Sequence, residues 1–343
     1  MFSFLKNRKS LQQNSLIFNI EPTFRCNLKC PTCPRNSTEG GRFDMAPAVF
    51  SRICEELGCA QSLDLTGWGE PLLHPDITSM IRKVKKRGLP VSMTSNGTLL
   101  SENMTSELID AGLDKLAVSV DGVTPETYEP IRKGAVYSEV CKNIKAAVSL
   151  VHRKSSPLEI SLAFTIQKQN LSDLELIVPW MKEHGVEILH LKHLNVLSSH
   201  FDWQNSLLSN ALDSEADSSQ LRKAEADIIK IREEIGKAGF SLNFFSQLPM
   251  DERLLKQNCL AAPLNSVYFS YDGMVSPCCH LGHKVSRFFH NTCYAPDHFI
   301  TGNIMQASLQ NIWDSPDYRR FRSEFQQGPG PSHCETCYLR YGK

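Results

Sequence analysis

The chain has 343 residues, of which 41% are hydrophobic and 22% are charged, as in a globular protein with one large core or two domains. Basic and acidic residues both number 37, so no excess positive charge predicts binding to nucleic acid or to an anionic membrane. No apolar run is long enough to span a bilayer, and no secretory signal is recognised at the N-terminus. The twelve cysteines are clustered at short spacings, and in a chain without an export signal this pattern favours metal ligation over disulfides. We therefore expect the protein in a reducing cytosol.

Strands and helices are predicted to alternate through the first part of the chain. Amphipathic helices separate six predicted strands, which cover residues 16–21, 62–66, 91–94, 116–120, 160–166 and 188–191. Capping residues mark the helices, for example Ser101 before one helix and Gly112 after it. This alternation predicts parallel βαβ units of an α/β fold, in which ligands bind at the carboxyl ends of the strands.

Three cysteines, Cys26, Cys30 and Cys33, follow the first predicted strand within eight residues. Thiolates at this spacing can surround one metal centre, but they supply only three ligands. A [4Fe–4S] cluster held by three cysteines leaves one iron open for another ligand, which suits chemistry rather than the bracing of a fold. Zinc is the alternative, and it would require a fourth ligand, for which the nearest residues are Cys54, Cys59 and His74.

Polar and glycine-rich segments follow three further predicted strands. They are residues 67–70 (Gly-Trp-Gly-Glu), 95–97 (Ser-Asn-Gly) and 121–122 (Asp-Gly). Because the carboxyl ends of parallel strands meet at one rim, we expect these segments to form an active site with the cysteine loop. Ser and Asn at strand ends are also common simply as turn residues.

The composition changes near residue 236, where we place a boundary between a first domain, residues 1–235, and a second, residues 236–343. The polar, Ser-rich residues 198–220 are predicted to be a linker or an active-site loop. The second domain holds half of the cysteines, and its residues 267–275 are predicted to form a hairpin that turns at Asp272 and Gly273.

The cysteine spacing and the Gly-Trp-Gly-Glu segment resemble the radical S-adenosylmethionine (radical SAM) superfamily. The resemblance implies a partial (β/α)6 TIM-like barrel with a small C-terminal α+β auxiliary-cluster domain. It also implies that Cys26, Cys30 and Cys33 hold a [4Fe–4S] cluster whose open iron binds S-adenosyl-L-methionine (AdoMet). Such enzymes take an electron from a flavodoxin- or ferredoxin-type donor and cleave AdoMet to a 5′-deoxyadenosyl radical, which abstracts hydrogen from a substrate.

The same resemblance implies which residues bind AdoMet. Glycines would let the backbone approach it, Glu70 would accept a hydrogen bond from its ammonium group and Arg132 would reach its carboxylate. The chain departs from the family at Thr32, where an aromatic residue usually lies near the adenine, so adenine stacking is unassigned. The full implied set is Gly67, Gly69, Glu70, Asn96, Ser119, Asp121 and Arg132.

The cysteine-rich tail resembles the twitch domain, a shortened SPASM domain that binds an auxiliary [4Fe–4S] cluster. The resemblance implies one such cluster, since the chain ends six residues after the last of its ligands, which are Cys259, Cys278, Cys334 and Cys337. A four-cysteine zinc site is the alternative. Cys279 could replace Cys278, and Cys293 with the nearby histidines is interpreted as a variable insertion.

A cluster with four protein ligands has no open iron, so its expected role is electron transfer that supports net oxidation or bond formation. We expect a small-molecule substrate such as a sugar or aminocyclitol, with a peptide or protein side chain as the alternative. Only about sixteen residues precede the first strand, which leaves no room for a leader-binding domain. The chemistry needs a base, for which Asp121 or a residue of 198–220 is a candidate, but no catalytic residue is selected. A non-enzymatic redox protein would leave residues 67–70 without a role.

Overall fold

The computed structural model describes residues 11, 16–38, 41, 43–207, 209, 219–245, 259, 261–289, 291–327 and 330–340. Seven parallel strands alternate with helices up to residue 244. The strands are β1 Leu16–Ile20, β2 Ala60–Asp64, β3 Val91–Ser95, β4 Lys115–Ser119, β5 Glu159–Ile166, β6 Ile188–His193 and β7 Ser241–Phe244. The α-helices are α1 Pro47–Glu55, α2 Ile77–Lys85, α3 Glu102–Ala111, α4 Pro125–Ile131, α5 Tyr137–Arg153, α6 Ile177–His184, α7 His200–Asn205 and α8 Ser219–Ala238.

The remaining elements belong to the tail. Its strands are β8 Ser266–Phe269, β9 Met274–Ser276, β10 Val285–Phe289, β11 Thr292–Asp297 and β12 Gly302–Asn303. Its α-helices are α9 Leu309–Trp313 and α10 Pro316–Gln327. The predicted hairpin corresponds to β8 and β9, which pair antiparallel around the turn at Asp272 and Gly273.

One sheet of ten strands carries both parts of the chain, in the order β12-β9-β8-β1-β2-β3-β4-β5-β6-β7. The strands from β1 to β7 pair parallel in chain order, which confirms the predicted α/β fold. The tail strand β8 pairs parallel with β1 and so extends the same sheet at its first edge. A separate two-stranded sheet holds β10 and β11.

Alternating side chains give the sheet an apolar outer face and a polar inner face. In β1, Leu16, Phe18 and Ile20 are fully buried, while the residues between them are partly accessible. Apolar faces of the surrounding helices cover the outer side, as where α2 buries Ile77 and Met80. In a barrel-like parallel sheet the side chains of the other face point inward, and this interior, beneath the rim where the site residues lie, is here called the lumen.

Two differences from the predicted organisation concern the ends of this sheet. Strand β7 was not predicted, and both β7 and β8 lie beyond the predicted boundary near residue 236 yet belong to the barrel sheet. The boundary itself stays a prediction. Residues 208 and 210–218 of the predicted linker or loop lie outside the described residues, and α7 occupies its beginning. Within the described part of the chain, no helix has the length and apolar character needed to cross a membrane.

Candidate active site

The loop after β1 brings the three predicted cysteines together. Their thiols lie within electrostatic range of one another, and burial raises the pKa of Cys26 and of Cys33. The Leu28 backbone N–H lies 3.4 Å from Cys26 Sγ and favours its thiolate. Burial makes the thiolate forms of Cys26 and Cys33 costly, and the cationic core of an iron–sulfur cluster, which binds thiolates, would offset that cost.

A buried arginine that the sequence pattern did not single out lies beside this loop. Arg35 is 9% exposed, and its Nη2 donates to the Leu28 carbonyl over 3.0 Å. Its Nε has no hydrogen-bond partner, and the guanidinium is close enough to Cys26 and Cys33 to lower the pKa of both thiols. A basic residue two positions after a cysteine is too common to have marked it in the sequence.

The glycines of the Gly-Trp-Gly-Glu segment pack against the end of β1. A Cβ on Gly67 would lie 2.6 Å from Glu21 Oε1, and a Cβ on Gly69 would lie 2.5 Å from the Arg25 carbonyl oxygen. Both glycines therefore allow two rim loops to touch. Their predicted approach to AdoMet stays a prediction.

Glu70 joins the loops that follow β2 and β3. The carboxylate is 2% exposed, and its Oε1 accepts hydrogen bonds from Ser95 Oγ at 2.7 Å and from the Leu72 N–H at 3.1 Å. Its Oε2 accepts from the Asn96 N–H at 2.7 Å. Burial raises the pKa of Glu70, and these donors oppose the shift. Three of about four acceptor positions are thus filled, which leaves one for the predicted ammonium contact.

Asn96 connects this loop to the cysteines. Its Nδ2 donates to Asn27 Oδ1 at 3.0 Å and lies 3.9 Å from Cys26 Sγ. Its Oδ1 accepts from the Thr98 N–H at 3.0 Å. Asn96 therefore holds the cysteine loop in place, whereas its predicted contact with AdoMet stays a prediction.

Asp121 and Arg132, both predicted to bind AdoMet, are paired with each other. Arg132 Nη2 lies 2.6 Å from Asp121 Oδ2, and the Thr165 N–H donates to Asp121 Oδ1 at 2.7 Å. Burial works against the charge of Arg132, but Asp121 and then the Cys30 thiol raise the pKa of the guanidinium overall. Its buried Nε has no partner and remains a donor for an anion. Ser119 ends β4 nearby and is 9% exposed.

The lumen below this rim holds further titratable groups that were not predicted. Asp64 on β2 and Lys192 on β6 each lie between two buried neighbours, whereas Asp64 itself is partly accessible and Lys192 is exposed. Lys192 is within electrostatic range of Asp121, Arg132 and Cys279, and burial lowers its pKa. The side chain of Lys192 makes no hydrogen bond or ion pair with any residue that the structure describes.

Asp64 gives the protein a predicted pH dependence of stability. Burial raises its pKa to about 6, and hydrogen bonds from Thr66 and Ser92 oppose the shift. An unfolded Asp titrates near pH 4, so between about pH 4 and 6 the folded state holds a proton that the unfolded state has lost. Stability therefore falls as pH rises through this window, and the penalty is complete above about pH 6.

The variant Asp64→Asn removes this titration. We expect the difference in the free energy of unfolding, variant minus wild type, to increase by about 1 to 3 kcal/mol as the pH rises from about 4 to 6. Above about pH 6 this difference should stay constant. Denaturant unfolding of both proteins at matched iron content measures the difference. A difference that stays constant across the window would contradict the assignment.

Four predicted cysteines of the tail meet at one cavity. Cys259, Cys278, Cys334 and Cys337 line it together with Arg287. Burial, followed by the neighbouring thiols, raises the pKa of Cys259. Among the residues that the structure describes, no three His, Cys, Asp or Glu side chains are grouped as ligands of one metal ion. The thiols instead border a space, and their donor chemistry fits an iron–sulfur cluster.

Cys279 and Cys293, the two tail cysteines outside the predicted ligand set, do not line the cavity formed by the other four. Cys279 is within electrostatic range of Glu21, Lys192 and Asp64, and so borders the lumen rather than the four-thiol cavity. Cys293 is exposed on β11. The choice of Cys278 as the ligand stays a prediction, and this arrangement favours it.

A buried polar network joins the barrel to the tail. Glu21 is fully buried, and its Oε1 accepts from the Trp68 N–H at 2.9 Å. Its Oε2 lies 3.1 Å from His283 Nε2, which lies 2.8 Å from the Tyr268 hydroxyl. The sequence pattern missed this network, because Glu21 looked like a strand end and His283 like part of a variable insertion.

Two family models match the parts of the chain that hold these two cysteine sites. The family model of the radical SAM superfamily matches residues 20–178, and that of the SPASM iron–sulfur cluster-binding domain matches residues 259–338. A probable GTP 3′,8-cyclase of Sulfurisphaera tokodaii is 30% identical over 228 residues, 64% of this chain and 68% of that protein. The chain belongs to the radical SAM superfamily. It is a radical SAM enzyme, with AdoMet and a [4Fe–4S] cluster as cofactors and a SPASM domain for auxiliary iron–sulfur binding.

Other relatives match nearly the full chain. A tungsten-containing aldehyde ferredoxin oxidoreductase cofactor-modifying protein of Pyrococcus furiosus is 26% identical over 330 residues, 94% of this chain and 86% of that protein. Among solved structures, Streptococcus suis SuiB bound to S-adenosylmethionine aligns with a TM-score of 0.66 and 16% identity over 98% of this chain and 75% of that chain. The protein anSMEcpe with bound AdoMet and a peptide aligns with a TM-score of 0.65 and 20% identity over 96% of this chain and 88% of that chain. The structural likenesses establish the shared fold.

Proposed function

We propose that this radical SAM enzyme performs a net oxidation or bond formation on a small polar molecule bound in the lumen. The observation that carries the proposal is the pair of lumen groups without ion-pair partners among the described residues, Lys192 and Asp64, both within electrostatic range of Cys279. Charged groups of this kind recognise a polar substrate and would be costly if the lumen stayed dry. Relatives that match most of this chain are named for GTP and for a cofactor.

The residues have distinct parts in this proposal. Cys26, Cys30 and Cys33 would hold the first cluster, and the unpartnered Nε of Arg132 would donate to the AdoMet carboxylate. When bound, AdoMet with its reduced cluster supplies a 5′-deoxyadenosyl radical, and the auxiliary cluster supplies an acceptor for the electron that leaves the substrate.

Asp64 is the group in the lumen that can receive the proton lost by the substrate. Its pKa of about 6 suits a base near neutral pH. Asp121, the base suggested by the sequence, is instead ion-paired to Arg132 at 2.6 Å, so its carboxylate is already engaged by another side chain.

A single assay distinguishes a small molecule from a peptide or protein substrate. Anaerobically reconstituted enzyme with AdoMet and dithionite should form 5′-deoxyadenosine slowly, and an extract of the cells that produce the enzyme should increase this rate. We expect the stimulating activity to pass a protein-retaining membrane and to survive protease treatment. Stimulation that protease destroys would instead establish a peptide substrate, and no 5′-deoxyadenosine under any condition would contradict radical chemistry.

Lys192 provides the matched variant for this assay. In Lys192→Met we expect the stimulated rate to fall by at least about tenfold, since roughly 1.4 kcal/mol of lost substrate contact suffices. The slow rate without substrate should persist, because Lys192 is not assigned to AdoMet or to a cluster. Lys142→Met, a change at a charge on the exposed surface of α5, is the control and should leave both rates unchanged. Equal loss of the stimulated and unstimulated rates in Lys192→Met would place Lys192 at AdoMet instead.

A further inference from the structure

The four-thiol cavity has a buried cation in its wall. Arg287 on β10 is 8% exposed and lines the cavity together with the four cysteines. Its Nη1 donates to the His333 carbonyl, and its Nη2 is buried without a hydrogen-bond partner. Among the described residues, no carboxylate forms an ion pair with Arg287.

The imidazoles around the guanidinium do not balance its charge. His280 and His333 also line the cavity, but an imidazole is either neutral or cationic and therefore supplies no negative charge. His333 Nδ1 lies 2.7 Å from Asp297 Oδ2, which is therefore engaged with another group. The groups on the cavity wall that can carry negative charge are the four cysteines, which bind a cluster as thiolates.

A buried, unpaired charge destabilises the folded protein unless a counter-ion offsets it. A cubane cluster held by four thiolates is an anion in every physiological oxidation state, and it gains one further negative charge on reduction. A fixed cation at its edge with a free N–H donor stabilises the reduced state more than the oxidised state.

We propose that Arg287 is the counter-ion of the auxiliary cluster and that its guanidinium raises the reduction potential of that cluster. The inference rests on the proposed function, in which the auxiliary cluster receives an electron from the substrate, and it explains why the cluster accepts that electron readily. Arg287 would act through the cluster rather than on the substrate, which it need not touch.

The potential itself provides the first test. The auxiliary cluster is isolated in a chain with Cys26, Cys30 and Cys33 changed to alanine, and its potential is measured by titration followed with electron paramagnetic resonance. We expect Arg287→Gln to shift the potential to more negative values and Arg287→Lys to shift it less, because lysine keeps the charge. Arg320→Gln removes an exposed charge paired with Asp317 in the same domain and should leave the potential unchanged. An unchanged potential in Arg287→Gln would overturn the proposal.

Thermal unfolding provides a second test that holds even if Arg287→Gln loads iron poorly. In the iron-free chain, Arg287 is an uncompensated buried charge, so Arg287→Gln should raise Tm. In the iron-loaded chain the same change removes the counter-ion, so Tm should fall. If the guanidinium served only to donate a hydrogen bond to the His333 carbonyl, Arg287→Gln would lower Tm in both the iron-free and the iron-loaded chain. That result would overturn the proposal.

Neither test uses AdoMet or a substrate. A failed potential shift would therefore leave the proposed substrate class standing, and a failed 5′-deoxyadenosine assay would leave the role of Arg287 standing.

Discussion

Changing Cys26, Cys30 and Cys33 together to alanine is expected to abolish AdoMet cleavage and to remove about half of the iron. The wild-type chain should hold about eight irons, four in each cubane, and the variant about four. The separation follows from the structure, since the three thiols lie on the loop after β1 while the other four line a cavity in the tail. Iron analysis and the formation of 5′-deoxyadenosine measure the two effects.

The matched control changes the other site. Cys334→Ala with Cys337→Ala should remove the complementary half of the iron and leave slow AdoMet cleavage without substrate. Loss of all iron from either variant would show that the two sites are not separate. A wild-type content of about four irons, with zinc in the tail, would replace the auxiliary cluster by the alternative zinc site.

Gly69→Ala is expected to destabilise the protein by roughly 3 kcal/mol and to empty the three-cysteine site. An added methyl would collide with the Thr23 and Arg25 carbonyl oxygens, which are backbone atoms that no side-chain rotation can move aside. The Arg25 carbonyl also accepts the Glu70 N–H at 2.7 Å, so displacing it disturbs the loop that leads into Cys26.

Gly58→Ala is the control, because a methyl there would meet nothing within 4 Å. It should change the free energy of unfolding by less than about 1 kcal/mol and leave the iron content intact. The measurements are denaturant unfolding and iron analysis, with the auxiliary cluster still present in Gly69→Ala. A Gly69→Ala protein with wild-type stability and full iron content would show that the two rim loops separate freely.

The sequence predicted the barrel well because its signals are local. Alternating burial in β1 and the apolar face of α2 follow from side chains a few residues apart. Strand β7 escaped prediction because it has only four residues, Ser-Leu-Asn-Phe, and an alternation of two apolar side chains is too short to stand out. The pairing of β8 with β1 joins residues about 250 positions apart, and no local pattern records such a contact.

The same limit applies to the site. The spacing of Cys26, Cys30 and Cys33 located the first thiol group, because metal ligation constrains neighbouring residues on one loop. The four cysteines of the tail come from separate segments, and the resemblance to the twitch domain located them. The groups that surround the thiols come from distant segments, as Glu21 and His283 do when they meet at 3.1 Å. Lys192 and Asp64 resembled ordinary strand residues, and only the curvature of the sheet turns them inward together. Contacts of this kind require the tertiary structure.

The strand order also bears on how the two iron–sulfur sites stay in register. The backbone of β8 bonds to the barrel at both ends, through the Ile17 N–H to the Asn265 carbonyl and the Glu21 N–H to the Phe269 carbonyl, each at 2.9 Å. The spacing between the sites is therefore set by ladder hydrogen bonds instead of a flexible tether. A chain cut before β8 would leave β1 as a bare sheet edge, which invites aggregation, so the two parts are expected to melt as one cooperative unit.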